Sequence, residues 1–238
     1  MCGCYLNSPK YHSVTRLVLF DIDGTLIHTH KAGVRAFINT LRSEFDIDNP
    51  SQEISFAGRT DKSLVREFFT IHGILATEEN FSRFFEAYVF WLDYMLRRTQ
   101  GEIGSGVDHF VNNLNSLKEP PLIGLLTGNI RLGAEIKLRH FYLWDYFKMG
   151  VFGDENECRD KLAALALERG RDILGPDLAP EEVIVIGDTV FDVKCAQSIG
   201  ARSLAISSGA CTAEELSELN PTWLVPNMNK VQVRMIME

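Results

Sequence analysis

The chain has 238 residues, of which 45% are hydrophobic and 24% are charged, and its formal net charge is −8. This composition excludes an intrinsically disordered chain and leaves room for one or two domains. The negative charge argues against electrostatic attraction to nucleic acid or to an anionic membrane, and no apolar run reaches the ~18 residues of a membrane span. We therefore expect no nucleic-acid partner and no membrane insertion.

The N-terminal segment, residues 1–13, lacks the apolar stretch of a secretory signal and is predicted to be flexible. The five cysteines are an odd number, which favours free thiols in a reducing compartment over a disulfide framework. We therefore expect a cytoplasmic protein. Whether Cys2 and Cys4 have a role is open at this point.

The first predicted strand is the apolar run at residues 17–20, which ends abruptly in two acids, Asp21 and Asp23. Gly24 and Thr25 follow as a turn. Crowding carboxylates at the end of a buried strand is costly unless a metal, a cation or a reaction compensates for their charge. This segment is therefore the first candidate for a functional site.

Residues 31–103 have a different character, with no pattern of a buried strand. Helical patterns occur near residues 32–45, 61–72 and 78–98, and the region holds 12 of the 24 aromatic residues. We predict a helical cap domain at 31–103 whose aromatic residues mainly pack its own core. Its two connections to the rest of the chain are expected near residues 26–31 and 101–106.

The remaining strands are predicted at residues 122–126, 183–186 and 203–206, with a further edge strand at 222–225. Their continuous apolar runs are typical of strands that are buried on both faces, and helical patterns alternate with them. The sequence therefore predicts an α/β core, a doubly wound parallel sheet of the Rossmann-like type, formed by residues 14–30 and 104–238.

Polar residues follow each of the main strands, and the carboxyl ends of parallel strands form one edge of the sheet. Thr127, Gly128 and Asn129 follow the second run, and Asp188 and Asp192 follow the third. Four carboxylates at one edge predict a hard cation, and Mg²⁺ fits an incomplete set of oxygen ligands. The hydroxyl and backbone N–H groups of the second segment suit a phosphate.

With a metal and a phosphate in place, the two first acids acquire separate roles. Asp21 can attack phosphorus and form an aspartyl phosphate. Asp23 can protonate the leaving oxygen and later deprotonate water. A basic residue is also needed beside the transferred group, and Arg159 and Lys161 are equal candidates at a predicted helix start.

These motifs, "DIDGTL", "LLTGN", a basic residue at a helix start and "GDTVFD", occur in order across residues 16–192. They resemble the four motifs of the haloacid dehalogenase-like (HAD) hydrolases. The helical insertion after the first motif is similar to the cap of the phosphoglycolate phosphatase-like branch. The departure is in the third motif, where the family usually has Lys-Pro and this chain has Arg159-Asp160-Lys161.

The resemblance implies a role for each residue of the site. Asp21 would be the nucleophile and a Mg²⁺ ligand, and Asp23 would be the acid/base with its backbone carbonyl on the metal. Thr127 would bind phosphate, Asp188 would be the second metal carboxylate, and Asp192 would lie in the outer metal shell or orient the basic residue.

The leading interpretation is a Mg²⁺-dependent phosphatase that acts on a small phosphorylated metabolite, as a monomer or a homodimer. Two alternatives stay open from the sequence: a phosphomutase of the β-phosphoglucomutase type, and a non-catalytic binding protein with the same fold. Arg59 in "FAGRTD" is a further candidate, because it would project from a cap loop towards an anionic substrate.

Overall fold

The computed structural model describes residues 14–48 and 55–237. The sequence predictions for residues 1–13, including Cys2 and Cys4, lie outside this part of the chain. None of the helices described is long and apolar enough to span a membrane.

The centre of the fold is a six-stranded parallel sheet with the order β5-β4-β1-β6-β7-β8, and a separate two-stranded antiparallel sheet pairs β2 with β3. The parallel sheet confirms the predicted fold class. The strands are β1 Leu17–Phe20, β2 Ile27–His28, β3 Glu102–Ile103, β4 Leu122–Leu126, β5 Met149–Val151, β6 Val183–Gly187, β7 Arg202–Ile206 and β8 Trp223–Val225.

The central strand β1 is fully buried because β4 and β6 flank it and helices cover both faces. Leu17 pairs with Leu122 and Val183 at one end. Val18 and Phe20 face one hydrophobic cluster, whereas Leu17 and Leu19 face another. This is the continuous apolar run that the sequence shows, and it leads directly to Asp21 at the carboxyl edge.

The cap lies between β2 and β3 and consists of α1 Ala32–Phe45, α2 Asp61–Ile71 and α3 Glu78–Leu96. Thr60 and Thr77 cap the second and third helices by accepting hydrogen bonds from backbone N–H groups. Phe37 lies at the centre of the cap core, where its ring is 4.7 Å from that of Phe84 and 5.1 Å from that of Phe68. The ribbon of β2 and β3 lies in the predicted connections, while the exact domain boundaries stay a prediction.

The helices of the core follow the cap along the chain: α4 Val107–Asn115, α5 Arg131–His140, α6 Arg159–Leu174, α7 Val190–Ser198, α8 Ala213–Ser217 and α9 Val233–Met237. The sequence pattern predicted neither α4 nor β5 nor the short β2–β3 ribbon. β5 has only three residues at the edge of the sheet, two of them half-buried, so it lacks the apolar run of the other strands.

Candidate active site

The parallel sheet brings the polar residues after β1, β4 and β6 to one edge. Asp21, Asp188 and Asp192 form a cluster here in which one carboxylate oxygen of each lies within 4.8 Å of the others. All three residues are buried. Burial and the charge of Asp192 raise the pKa of Asp21 well above its ordinary value. We call these three residues the carboxylate triad.

Asp188 is held from three sides. Its Oδ1 accepts a hydrogen bond from the hydroxyl of Thr25 at 3.0 Å, and its Oδ2 accepts one from the N–H of Ala210 at 2.6 Å. Gly24 has a φ of +85°, and a Cβ there would lie 2.2 Å from Asp188 Oδ2, so only glycine fits this turn. Burial and the charge of Asp192 raise the pKa of Asp188 to about 7.

Arg159 is the basic residue that the structure places beside the triad. It is buried, pairs with Oδ1 of Asp192, and has Nη1 4.0 Å from Oδ1 of Asp21. Lys161 is exposed on the same helix, because residues two apart on a helix point to opposite faces. Of the two candidates left equal by the sequence, the structure therefore brings only Arg159 to the site.

Asp192 is occupied by protein partners at both carboxylate oxygens. Oδ1 accepts from Arg159, and Oδ2 accepts from the N–H of Thr189 at 3.0 Å and from its hydroxyl at 2.7 Å. This arrangement matches the expectation that Asp192 orients the basic residue. Asp21 and Asp188 are then the members of the triad that are better placed to ligate a metal directly.

The triad fits a divalent cation by its charge. Three buried carboxylates, which offer hard oxygen ligands, face one guanidinium. Its single positive charge cannot balance the negative charge of all three carboxylates. The side chain of Asp23 lies outside this triad, so it differs from the other three acids that the sequence assigned to the metal. Its implied contact through the backbone carbonyl stays a prediction.

Asp23 lies in a second polar network beside the triad. Its Oδ2 accepts hydrogen bonds from Nζ of Lys137 at 2.6 Å and from Nδ2 of Asn129 at 2.9 Å. Nδ2 of Asn129 also donates to the hydroxyl of Thr127, at 2.9 Å. The side chain of Asn129 therefore links the second motif to Asp23, in addition to any contact of its backbone with phosphate.

The cap closes onto the second motif through backbone contacts. Thr127 is fully buried, whereas Gly128 and Asn129 line the cavity between cap and core. A Cβ at Gly128 would lie 2.0 Å from the carbonyl oxygen of Arg59, so glycine allows this close approach. Asp61 donates its N–H to the carbonyl of Gly128 at 2.7 Å.

The cavity has a volume of about 450 Å³ and is lined by the core edge and by the inner face of the cap. Arg59 lies in the lining of this cavity, where its guanidinium pairs with Glu67 of α2. Its predicted contact with an anionic substrate stays a prediction. Most cap aromatics pack within the cap, as expected, and a few also line the cavity. These are Phe37, Phe56 and Tyr88.

Sequence reasoning missed Lys137, Asp61 and the backbone of Ala210. Lys137 could have been found, because it lies three residues after Ala134 on the buried stripe of α5, where a lysine is rare. Asp61 lies at the start of a helix, where an acidic residue usually only interacts favourably with the helix dipole and therefore gives no functional signal. A backbone N–H leaves no signal in a sequence.

The family model described as haloacid dehalogenase-like hydrolase matches residues 18–206, which include the triad, Asp23 and Arg159. The chain belongs to this family. It is therefore a haloacid dehalogenase-like hydrolase with an inserted helical cap, as its motifs and fold indicate.

Two curated relatives match over most of both chains. A protein named probable phosphatase IndB from Dickeya dadantii is 27% identical over 222 residues, covering 90% of this chain and 91% of its own length. Pyrophosphatase PpaX from Bacillus mycoides is 25% identical over 221 residues, covering 89% of this chain and 93% of its own.

Solved structures share the fold at lower identity. CbbY from Rhodobacter sphaeroides, in complex with phosphate, is 18% identical with a TM-score of 0.73, covering 91% of this chain and 96% of its own. A predicted phosphoglycolate phosphatase from Haemophilus somnus is 17% identical with a TM-score of 0.70, covering 90% of this chain and 95% of its own. These likenesses support the core-and-cap architecture.

Proposed function

We propose that the protein is a Mg²⁺-dependent phosphatase that hydrolyses a small phosphorylated metabolite through an aspartyl phosphate on Asp21. The observation that carries this proposal is the position of Asp21. It is buried within the carboxylate triad, 4.0 Å from the guanidinium of Arg159, with Asp23 two residues later at the same edge. The names of the relatives, a phosphatase and a pyrophosphatase, support phosphoryl chemistry.

In the first step, a carboxylate oxygen of Asp21 forms a bond to phosphorus while the bond from phosphorus to the substrate oxygen breaks. Asp23 gives its proton to that leaving oxygen, so the product departs as a neutral alcohol. Arg159 provides positive charge beside the transferred group. When bound, Mg²⁺ would supply further positive charge against the triad and the phosphoryl oxygens, held by Asp21 and Asp188.

In the second step, water attacks the phosphorus of the aspartyl phosphate and the bond from phosphorus to Asp21 breaks. The carboxylate of Asp23 accepts the proton of the water, which regenerates its acid form and releases inorganic phosphate. The hydroxyl of Thr127 and the backbone N–H groups of Gly128 and Asn129 are the proposed phosphate contacts of this loop.

The substrate class is a small phosphorylated metabolite of the phosphoglycolate type. A cavity of about 450 Å³ suits a small molecule, and Arg59 and Lys31 add cationic groups on the cap side. The structural likeness to a predicted phosphoglycolate phosphatase supports this size of substrate. Arg59 would leave Glu67 to bind an anionic group of the substrate.

The test is phosphate release from a panel of phosphorylated metabolites, with Mg²⁺ and with EDTA. Asp21→Asn is compared with wild type and with Asp172→Asn, a control that changes an exposed aspartate on α6. We expect Mg²⁺-dependent release that Asp21→Asn lowers by about 10⁴-fold or more and the control leaves unchanged. Release that persists in Asp21→Asn, or no release by folded wild type with Mg²⁺, would contradict the proposal.

A further inference from the structure

Lys137 is a buried lysine on the inner face of α5. Lys137 is 3% exposed and shares this face with Gly133, Ala134 and Leu138. A charged ammonium at such a position is costly unless it is paired. Helical side chains lean towards the N-terminus of their helix, so Lys137 reaches back to the second motif at the start of α5.

The ammonium of Lys137 completes a triangle of polar contacts. Nζ donates to Oδ2 of Asp23 at 2.6 Å and to Oδ1 of Asn129 at 2.5 Å. Nδ2 of Asn129 donates to the same Oδ2 of Asp23 at 2.9 Å. Two donors from the core thus hold one oxygen of Asp23, and within residues 14–48 and 55–237 the other oxygen accepts no hydrogen bond.

The cap closes over this triangle. A Cβ placed on Gly33 of α1 would lie 3.5 Å from Nζ of Lys137 and 3.7 Å from the hydroxyl of Tyr88. Asp61, at the start of α2, interacts electrostatically with Lys137. The cap therefore shields the lysine from water, which strengthens its attraction to Asp23.

The two buried cations of the site divide between the two catalytic aspartates. Arg159 pairs with Asp192 and lies 4.0 Å from Asp21, whereas Lys137 contacts Asp23. We infer that Lys137 is a positioning residue for Asp23: it fixes Oδ2, so that Oδ1 is the oxygen that delivers the proton to the leaving group. This inference rests on the proposed phosphatase function.

Substrates with different leaving groups should depend on Lys137 to different degrees. An alkyl phosphate needs a proton from Asp23 when its bond to phosphorus breaks, whereas nitrophenyl phosphate has a leaving group that departs without one. kcat/KM reports the steps up to formation of the aspartyl phosphate, so later water attack does not affect it. A residue that positions the acid should affect the two substrates unequally.

The experiment measures kcat/KM of wild type and Lys137→Met on nitrophenyl phosphate and on the alkyl phosphate that wild type hydrolyses fastest. We expect a loss of about 10²-fold on the alkyl phosphate and of about threefold or less on nitrophenyl phosphate. In an Asp23→Asn background, Lys137→Met should cause no further loss on the alkyl phosphate. Lys118→Met, at an exposed lysine before β4, serves as the matched control.

The ratio of the two kcat/KM values does not depend on the fraction of folded enzyme. If Lys137→Met fails to fold, Lys137→Gln replaces it, because glutamine keeps a polar hydrogen-bond donor. An equal loss on both substrates would overturn the inference, because it would mean direct phosphate binding or a structural role. So would an undiminished effect in the Asp23→Asn background. Absence of phosphate release by wild type would instead overturn the proposed function itself.

Discussion

The edge of the sheet and the interior of the cap bury opposite kinds of side chain. At the edge, the buried groups are carboxylates, a guanidinium and an ammonium, each held by a specific partner. In the cap, they are aromatic rings that contact one another and the aliphatic side chains packed around them. We therefore expect the core to set the reaction through fixed charges and the cap to set the shape of the cavity above it.

This contrast predicts where function and stability reside. Changing a charge at the edge should remove activity and leave the cap folded. Changing a ring in the cap should cost folding free energy and leave the chemistry of the remaining folded enzyme intact. Loss of stability from a variant at the edge, or loss of activity per folded molecule from a variant in the cap, would contradict this division.

After the loss expected for Asp21→Asn, the next largest effect is expected at Arg159. Arg159→Met should lower kcat/KM for phosphate release by about 10³-fold, because it removes the cation nearest to Asp21. Lys161→Met, at the exposed position two residues later, should leave kcat/KM unchanged. Steady-state kinetics of both variants decide between the two basic residues, and a larger loss in Lys161→Met would reverse the assignment made from the structure.

In the cap, Phe84→Ala should lower the free energy of unfolding by about 3–5 kcal/mol. Phe84 is fully buried among other rings and does not line the cavity. Phe90→Ala, which truncates a ring that is 64% exposed, should have little effect. Urea unfolding measures both. Equal stability of the two variants would show that the aromatic cluster does not hold the cap together.

The triad should make metal-free protein less stable as the pH rises. The pKa of Asp188 in the folded protein is about 7, above its ordinary 3.8, so the folded state binds this proton more tightly than the unfolded state. The free energy of unfolding therefore falls as the pH rises from ~4 to ~7. In EDTA at about pH 8, Asp188→Asn should raise Tm by ~3 °C or more, the shift that ~1 kcal/mol produces in a chain of this size.

The gain in Tm of Asp188→Asn should be smaller at about pH 5, where Asp188 of the folded wild type is already protonated. Scanning calorimetry at both pH values checks this. An equal gain in Tm at the two pH values would show that the negative charge of Asp188 does not destabilise the folded protein.

The smallest effect is expected where cap and core meet at the surface. Arg66 of α2 donates to both carboxylate oxygens of Glu157, at 2.7–3.0 Å, but both side chains are partly exposed. A double-mutant cycle of Arg66→Ala and Glu157→Ala should give a coupling of about 0.5–1 kcal/mol. A coupling of several kcal/mol would mean that this pair, and not the backbone contacts at Gly128, holds the cap on the core.

Much of this arrangement could be predicted from the sequence, for physical reasons that differ between regions. The strand at 17–20 is a continuous apolar run, so its end, and therefore the position of Asp21, could be located. The triad follows, because parallel strands end at one edge. The cap helices were located through their helical patterns, near residues 32–45, 61–72 and 78–98.

Other features depend on three-dimensional context that a sequence pattern does not show. The buried stripe of α5 marks Lys137 as unusual, but no sequence pattern shows that its partners are Asp23 and Asn129. The choice between Arg159 and Lys161 depends on the exact start of α6. The oligomeric state and the cytoplasmic location stay predictions.

An aspartyl phosphate on Asp21 can be detected directly by mass spectrometry of enzyme that is quenched in acid during turnover with Mg²⁺. We expect a phosphorylated peptide that contains Asp21 in wild type and no such peptide in Asp21→Asn. It should accumulate in Asp23→Asn supplied with nitrophenyl phosphate, because water attack then lacks its base. If wild type releases phosphate while neither wild type nor Asp23→Asn carries phosphate on that peptide, the reaction does not pass through an aspartyl phosphate on Asp21.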